Sequence, residues 1–119
     1  MKRNNVLQQK SFDFAVRIVN LCRYLNEEKK EYILTKQLLR AGTSIGANVE
    51  EAIGGQSEKD FFAKITIEYK EGRESHYWIR LLVETNYLTK EEGISILEDA
   101  DELLRIIGSI QTTIKHRNS

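Results

Sequence analysis

The chain has 119 residues, 40% of them hydrophobic and 30% charged, with one cysteine and no proline. Eighteen Lys and Arg balance eighteen Asp and Glu, which excludes the overall basic charge of a strong nucleic-acid binder and confines any such binding to a local patch. These figures fit one ordinary soluble domain, large enough for a core but small for a self-contained enzyme.

No apolar stretch approaches membrane-spanning length, so a cytoplasmic protein is expected. Cys22, alone, cannot close an internal disulfide and fits a reducing compartment as a small core residue. The lack of proline, and glycines placed where helices would touch or end, point to an all-α chain.

Phe14, Ile18, Leu21 and Leu25 recur at spacings of four, three and four, widened by Ala15 and Cys22, and predict a first helix over about 12–28 with Ser11 as its N-cap. A polar connection, NEEKKEY, follows. The second helix, 34–53, contains the run QLLRAGTSIGANVEEA and carries two apolar stripes. Leu38, Ala41, Ile45, Asn48 and Ala52 form one; Leu39, Gly42, Gly46, Val49 and Ile53 form the other. A helix apolar on two faces lies between neighbours. Gly42 and Gly46, four residues apart, let another backbone come close, at about 1 kcal/mol each in helix propensity.

After Gly54 and Gly55, Ser57 announces a third helix over 58–85, whose positions Phe62, Ile65, Tyr69, Gly72, His76, Ile79 and Val83 keep a three-four alternation. At roughly 1.5 Å per residue it is about 40 Å long. The fourth helix, 90–115, opens on TKEE, the Thr and Glu of a capping box, and places Ile96, Ala100, Leu103, Ile107, Ile110 and Ile114 on one face. Four long helices with short connections predict a single domain over 1–119, an up-down-up-down antiparallel four-helix bundle. Asn48, polar on an apolar stripe, is expected to satisfy its amide on helix three, where Glu68 and Ser75 interrupt the apolar face.

Two blocks of sequence carry a family resemblance. Gln37, Leu38, Arg40, Ala41, Ser44, Ile45, Asn48, Val49 and Glu51 resemble the signature of the four-helix bundle proteins associated with intervening sequences in bacterial 23S ribosomal RNA genes. The stretch DFFAKITIEYKEGRESHYWIRLL resembles a subgroup pattern through Asp60, Lys64, Glu71, Arg73, Glu74, Tyr77 and Trp78. The resemblance spans nearly the whole chain. It implies a bundle that assembles with itself into a ring, with pentamers among the family's members, and no established enzymatic activity. A related accessory protein of diversity-generating retroelements forms a similar ring and binds nucleic acid, so RNA or DNA enters as a candidate partner.

The chemistry a bundle could host finds little support in the residues. Glu68, Glu71 and Glu74 gather along one side of helix three, but a ferritin-type di-iron site needs Glu-x-x-His from two helices, and the residues three before His76 and His116 are Arg73 and Thr113. An ion-paired face with Arg40, Lys64, Lys70 or Arg73 is the expectation instead. Neither histidine has an arginine four to six residues before it, as a helical ribonuclease would want. Cys22 and Ser44 have no recommending histidine, and there is no phosphate-cradling glycine loop. No cofactor, metal or catalytic residue is expected.

Trp78 and Tyr77 read as packing anchors between helices or subunits, and His76 as a hydrogen-bonded core or interface histidine. The expected function is binding or scaffolding by a homo-oligomer, most simply the pentamer the resemblance implies. In the predicted topology the two termini and the Gly54–Gly55 turn share one end, which collects Lys2, Arg3 and Lys10 with Lys115, His116 and Arg117. That end is the candidate nucleic-acid contact. The alternative is a protein-protein interaction scaffold with no nucleic-acid role.

Overall fold

The computed structural model describes residues 2–55 and 57–118, with side chains from Val6 onward. Four helices follow in order: α1 Lys2–Lys29, α2 Leu34–Ile53, α3 Glu58–Glu84 and α4 Lys90–Arg117. Contacts between helices fix their directions. Gln8, early in α1, donates to Glu50, late in α2 (3.0 Å). Lys64, early in α3, pairs with Glu51, late in α2 (3.7 Å). Arg117, late in α4, pairs with Glu58 at the start of α3, and Arg17 of α1 pairs with Asp99 of α4 (2.7 Å). Neighbours therefore run antiparallel. α1 and α3 each pack on α2 and α4 but not on each other, giving an up-down-up-down bundle of 48 × 22 × 21 Å.

α1 begins at Lys2, not near Phe12, and Ser11 is an interior residue whose hydroxyl donates to the Gln8 carbonyl (3.1 Å). The cause is the inward stripe. Leu7, 1% exposed, extends the Phe14, Ile18 and Leu25 series by two further turns, and Ser11 sits buried between Leu7 and Phe14. Burial of that face outweighs the capping preference of the serine.

The starts of α3 and α4 are capped as the residues suggest. The Ser57 hydroxyl accepts from the Asp60 amide (3.0 Å), and Thr89 with Glu92 forms a reciprocal capping box. At the start of α2, the Glu31 carboxylate accepts from the backbone of Ile33 (3.2 Å) and Thr35 (2.8 Å). α1 and α3 end with Lys30 (φ 54°) and Asn86 (φ 68°) in the left-handed region. There the amides of Glu31 and Leu88 reach back six residues to the carbonyls of Leu25 and Leu82 (3.1 and 3.2 Å).

The core runs the length of the bundle and draws on all four helices, with Phe14 and Ile18, Leu38 and Ile45, Ile65 and Ile79, and Leu103 and Ile107 almost fully excluded from solvent. Cys22 belongs to it; burial, with Glu31 nearby, pushes its thiol up to about 11. The glycines of α2 face α1. A Cβ on Gly42 would stand 2.9 Å from Ile18, and one on Gly46 would meet the backbone of Ser11. The thin side of α2 is thus spent on α1 within one chain.

Candidate functional site

The signature residues of α2 lie along its edge toward α3. The Arg40 guanidinium forks between two carboxylates one turn apart: Nη1 reaches Glu71 at 3.3 Å and Nη2 pairs with Glu74. Trp78 Nε1 donates to the same Glu74 oxygen (2.9 Å), and the Tyr77 ring meets Trp78 edge-on, centroids 5.0 Å apart at 71°. Four predicted residues, Arg40, Glu71, Glu74 and Trp78, are therefore brought into one network. Its pieces are partly exposed, so each pair is worth about 0–1 kcal/mol. Its contribution is to the register of α2 on α3.

Further along that edge, Glu51 pairs with Lys64, while Gln37 is exposed and Ser44 half-buried. Asn48 corrects the expectation made for it. Its amide donates to the Ser44 carbonyl one turn back in its own helix (2.9 Å), and Ser75 likewise donates to Glu71 (2.8 Å). Glu68 is left fully buried, with no hydrogen-bond partner for either carboxyl oxygen. Burial alone raises its pKa from 4.5 to about 8, so the side chain is neutral in the folded core at pH 7. Among the described residues, no group of three or more His, Cys, Asp or Glu is placed to hold a metal ion.

The proposed cationic end is mixed in charge. The side chains of Lys2 and Arg3 lie outside the described residues. Lys10 sits on the α1–α4 flank, paired with Glu102 (3.1 Å). Arg117 is paired with Glu58, which also accepts from Asn118 (3.3 Å). Lys115 remains exposed, its ammonium 6.0 Å from the centre of the Phe62 ring. Glu50 and Glu51 close the same end from α2.

The family model for the 23S rRNA-intervening sequence protein matches residues 3–109. The chain belongs to that family. It is also similar to a solved protein of unknown function from Bacteroides thetaiotaomicron, described as a member of the S23 ribosomal protein family. The two are 47% identical with a TM-score of 0.91, over 92% of this chain and 98% of that one. No curated protein matches.

This member of the intervening-sequence family carries surface features that the motif residues do not announce. On α1, Phe12 (61% exposed), Val16 and Val19 share one outward face at spacings of four and three, and Leu39 stands exposed on the side of α2 that packs on α1. Across the bundle, Tyr77 and Ile94 are exposed over a groove between α3 and α4, a cavity of about 500 Å³ floored by Leu81, Val83 and Leu97. Periodicity was the available signal for the α1 face, since Phe12, Val16 and Val19 form a second helical stripe. Within the described residues, no helix is long and apolar enough to cross a membrane.

Proposed function

We propose that this cytoplasmic protein works as a non-enzymatic homo-oligomer, a closed ring of bundles that binds or scaffolds rather than catalyses. The observation that carries the reading is the pair of exposed apolar surfaces on different faces of one small bundle, Phe12, Val16, Val19 and Leu39 on α1 and α2, and Tyr77 and Ile94 on α3 and α4. The two lie at one level of the bundle. Arg17 reaches Ser95 and Asp99 across α1 and α4, and His76 reaches Asp101 across α3 and α4, so Val16 and Val19 are level with the groove beside Tyr77 and Leu97. Unlike faces joined head to tail close a ring when the rotation between copies divides a full turn, and faces at one level add no rise along the bundle that would open it into a filament. Five copies is the number the family resemblance implies.

A second reading adds nucleic acid at the end of the ring formed by the α2–α3 turn and the end of α4. Its support is Lys115 beside the Phe62 ring, flanking a cavity of about 470 Å³ that Lys59 also lines. Repetition around a ring would multiply a weak contact by avidity. The paired state of Lys10 and Arg117 makes the protein scaffold the first reading and RNA or DNA binding the second.

Sedimentation equilibrium tests the assembly. The expected mass is a fixed multiple of 13.8 kDa, five for the pentamer. A monomer throughout the micromolar range would overturn it. A pull-down scored separately for RNA and protein then separates the two readings.

A further inference from the structure

Midway along the α3–α4 groove, next to the apolar cavity, lies a second cavity of about 530 Å³ lined mainly by polar groups. Arg73, Glu74, His76, Tyr77 and Arg80 reach it from α3, and Asp101 and Leu104 from α4. Glu74 is turned to Arg40 and Trp78, which leaves Arg73, His76, Tyr77 and Arg80 as the remaining α3 set. The spacing of three, one and three puts these four residues on one side of that helix. A chain of contacts crosses the cavity wall. Asp101 Oδ1 lies 3.1 Å from His76 Nε2, and Arg80 Nε donates to His76 Nδ1 at 3.1 Å. With Nδ1 accepting from Arg80, Nε2 is the nitrogen that donates to Asp101, so the histidine links a carboxylate to a guanidinium.

That link holds Arg80 by Nε alone. Its two terminal nitrogens, with four N–H donors, have no partner among the described residues, and the guanidinium carbon lies 6.0 Å from the centre of the Tyr77 ring. Arg73, exposed two turns away, makes no hydrogen bond or ion pair among the described residues. Of the acids around them, Asp101 is paired with His76 and Glu74 with Arg40 and Trp78. Glu84, one turn beyond Arg80 and lining the adjacent cavity with it, is exposed and makes no ion pair with Arg80 among the described residues. The cavity therefore offers two unspent guanidinium forks, one of them oriented in advance by a carboxylate–imidazole pair, and a half-exposed aromatic ring beside them.

A guanidinium fork matches the oxygens of a tetrahedral phosphate, bonding it through two parallel N–H groups, and it keeps its charge at any physiological pH. Arg73 and Arg80 stand about 10.5 Å apart along the helix axis at 1.5 Å per residue, a span that two extended arginine side chains close from either side. Tyr77 supplies a face on which a planar base stacks. We propose that Arg73 and Arg80 bind the phosphate of a nucleotide unit, that Tyr77 carries its base, and that His76 and Asp101 act as positioning residues for Arg80. Tyr77 and Arg80 also line the groove on which the proposed ring would seat the neighbouring subunit, so a nucleotide bound here and that subunit compete for the same side chains; the inference does not depend on the cationic end.

Calorimetric titration of the full chain with inorganic phosphate, uridine monophosphate and a short single-stranded RNA tests it and identifies the source of the phosphate. Saturable binding of the mononucleotide, weakened at least about tenfold by Arg80→Gln and by Arg73→Gln while helix content and melting temperature hold, supports a nucleotide site. The same losses seen with the RNA alone support a phosphodiester. Arg80→Lys should lose binding despite keeping its charge, because it loses both the fork and the bond to His76. Asp101→Asn should weaken binding severalfold without touching the ligand. No saturable binding of any of the three probes up to about 10 mM overturns the proposal. So does RNA binding that survives Arg73→Gln with Arg80→Gln and disappears with Lys115→Gln and Arg117→Gln, which would assign it to the cationic end.

Discussion

Gly46 of α2 lies against the main chain of Ser11 in α1, close enough that a Cβ there would sit 3.4 Å from the Ser11 carbonyl oxygen. A backbone atom cannot rotate away as a side chain does. Gly46→Leu should therefore push α1 and α2 apart, with a stability loss of about 1–3 kcal/mol read from chemical or thermal unfolding. An unchanged melting temperature would mean that the two helices separate freely along this seam.

The Arg40–Glu74 pair is half-exposed and shared with Glu71 and Trp78. A double-mutant cycle with Arg40→Met and Glu74→Gln should return a coupling of less than about 1 kcal/mol, in keeping with its role in register. A coupling several times larger would show a desolvated network that acts as a structural lock.

Glu68 makes stability depend on pH in a direction opposite to most carboxylates. Its folded pKa is raised, from 4.5 to about 8, so between those values the unfolded chain releases a proton that the folded chain keeps. The contribution of Glu68 is fully present below pH 4.5 and is lost progressively up to about pH 8. Relative to Glu68→Gln, the parent should lose up to about 1.4 kcal/mol per pH unit across that window and run parallel above it. Parallel curves throughout would show that the carboxyl reaches water or a partner in solution.

Most of the fold was legible because α2, α3 and α4 combine long three-four apolar spacing with recognisable starts at Ser57 and Thr89. The beginning of α1 was not. Ser11 looks like a cap, and only the burial of Leu7 reveals that the stripe continues through it. The Arg40 network was half visible, since the carboxylates of α3 called for cations, but which cation reaches which acid depends on helix register. Asn48 misled for a physical reason: a helix offers its amide a carbonyl one turn back, so an asparagine on an apolar stripe need not look across the bundle. His76 and Arg80 stand four apart on α3, a spacing the sequence displays, but the His76–Asp101 contact was illegible, because it joins α3 to α4 over a separation set by packing.

The head-to-tail ring is tested most directly by mixing two variants, each broken on one face, and reading the mass by sedimentation velocity. Phe12→Glu with Val16→Glu disables the α1 face, and Tyr77→Glu with Ile94→Glu disables the α3–α4 face; all four side chains are exposed, so the bundle itself should survive. Each variant alone should run as a 13.8 kDa monomer, and the equimolar mixture should give a heterodimer and nothing larger, because one intact seam remains between unlike partners. Variants that keep the parent's mass, or a mixture that stays monomeric, would contradict the account.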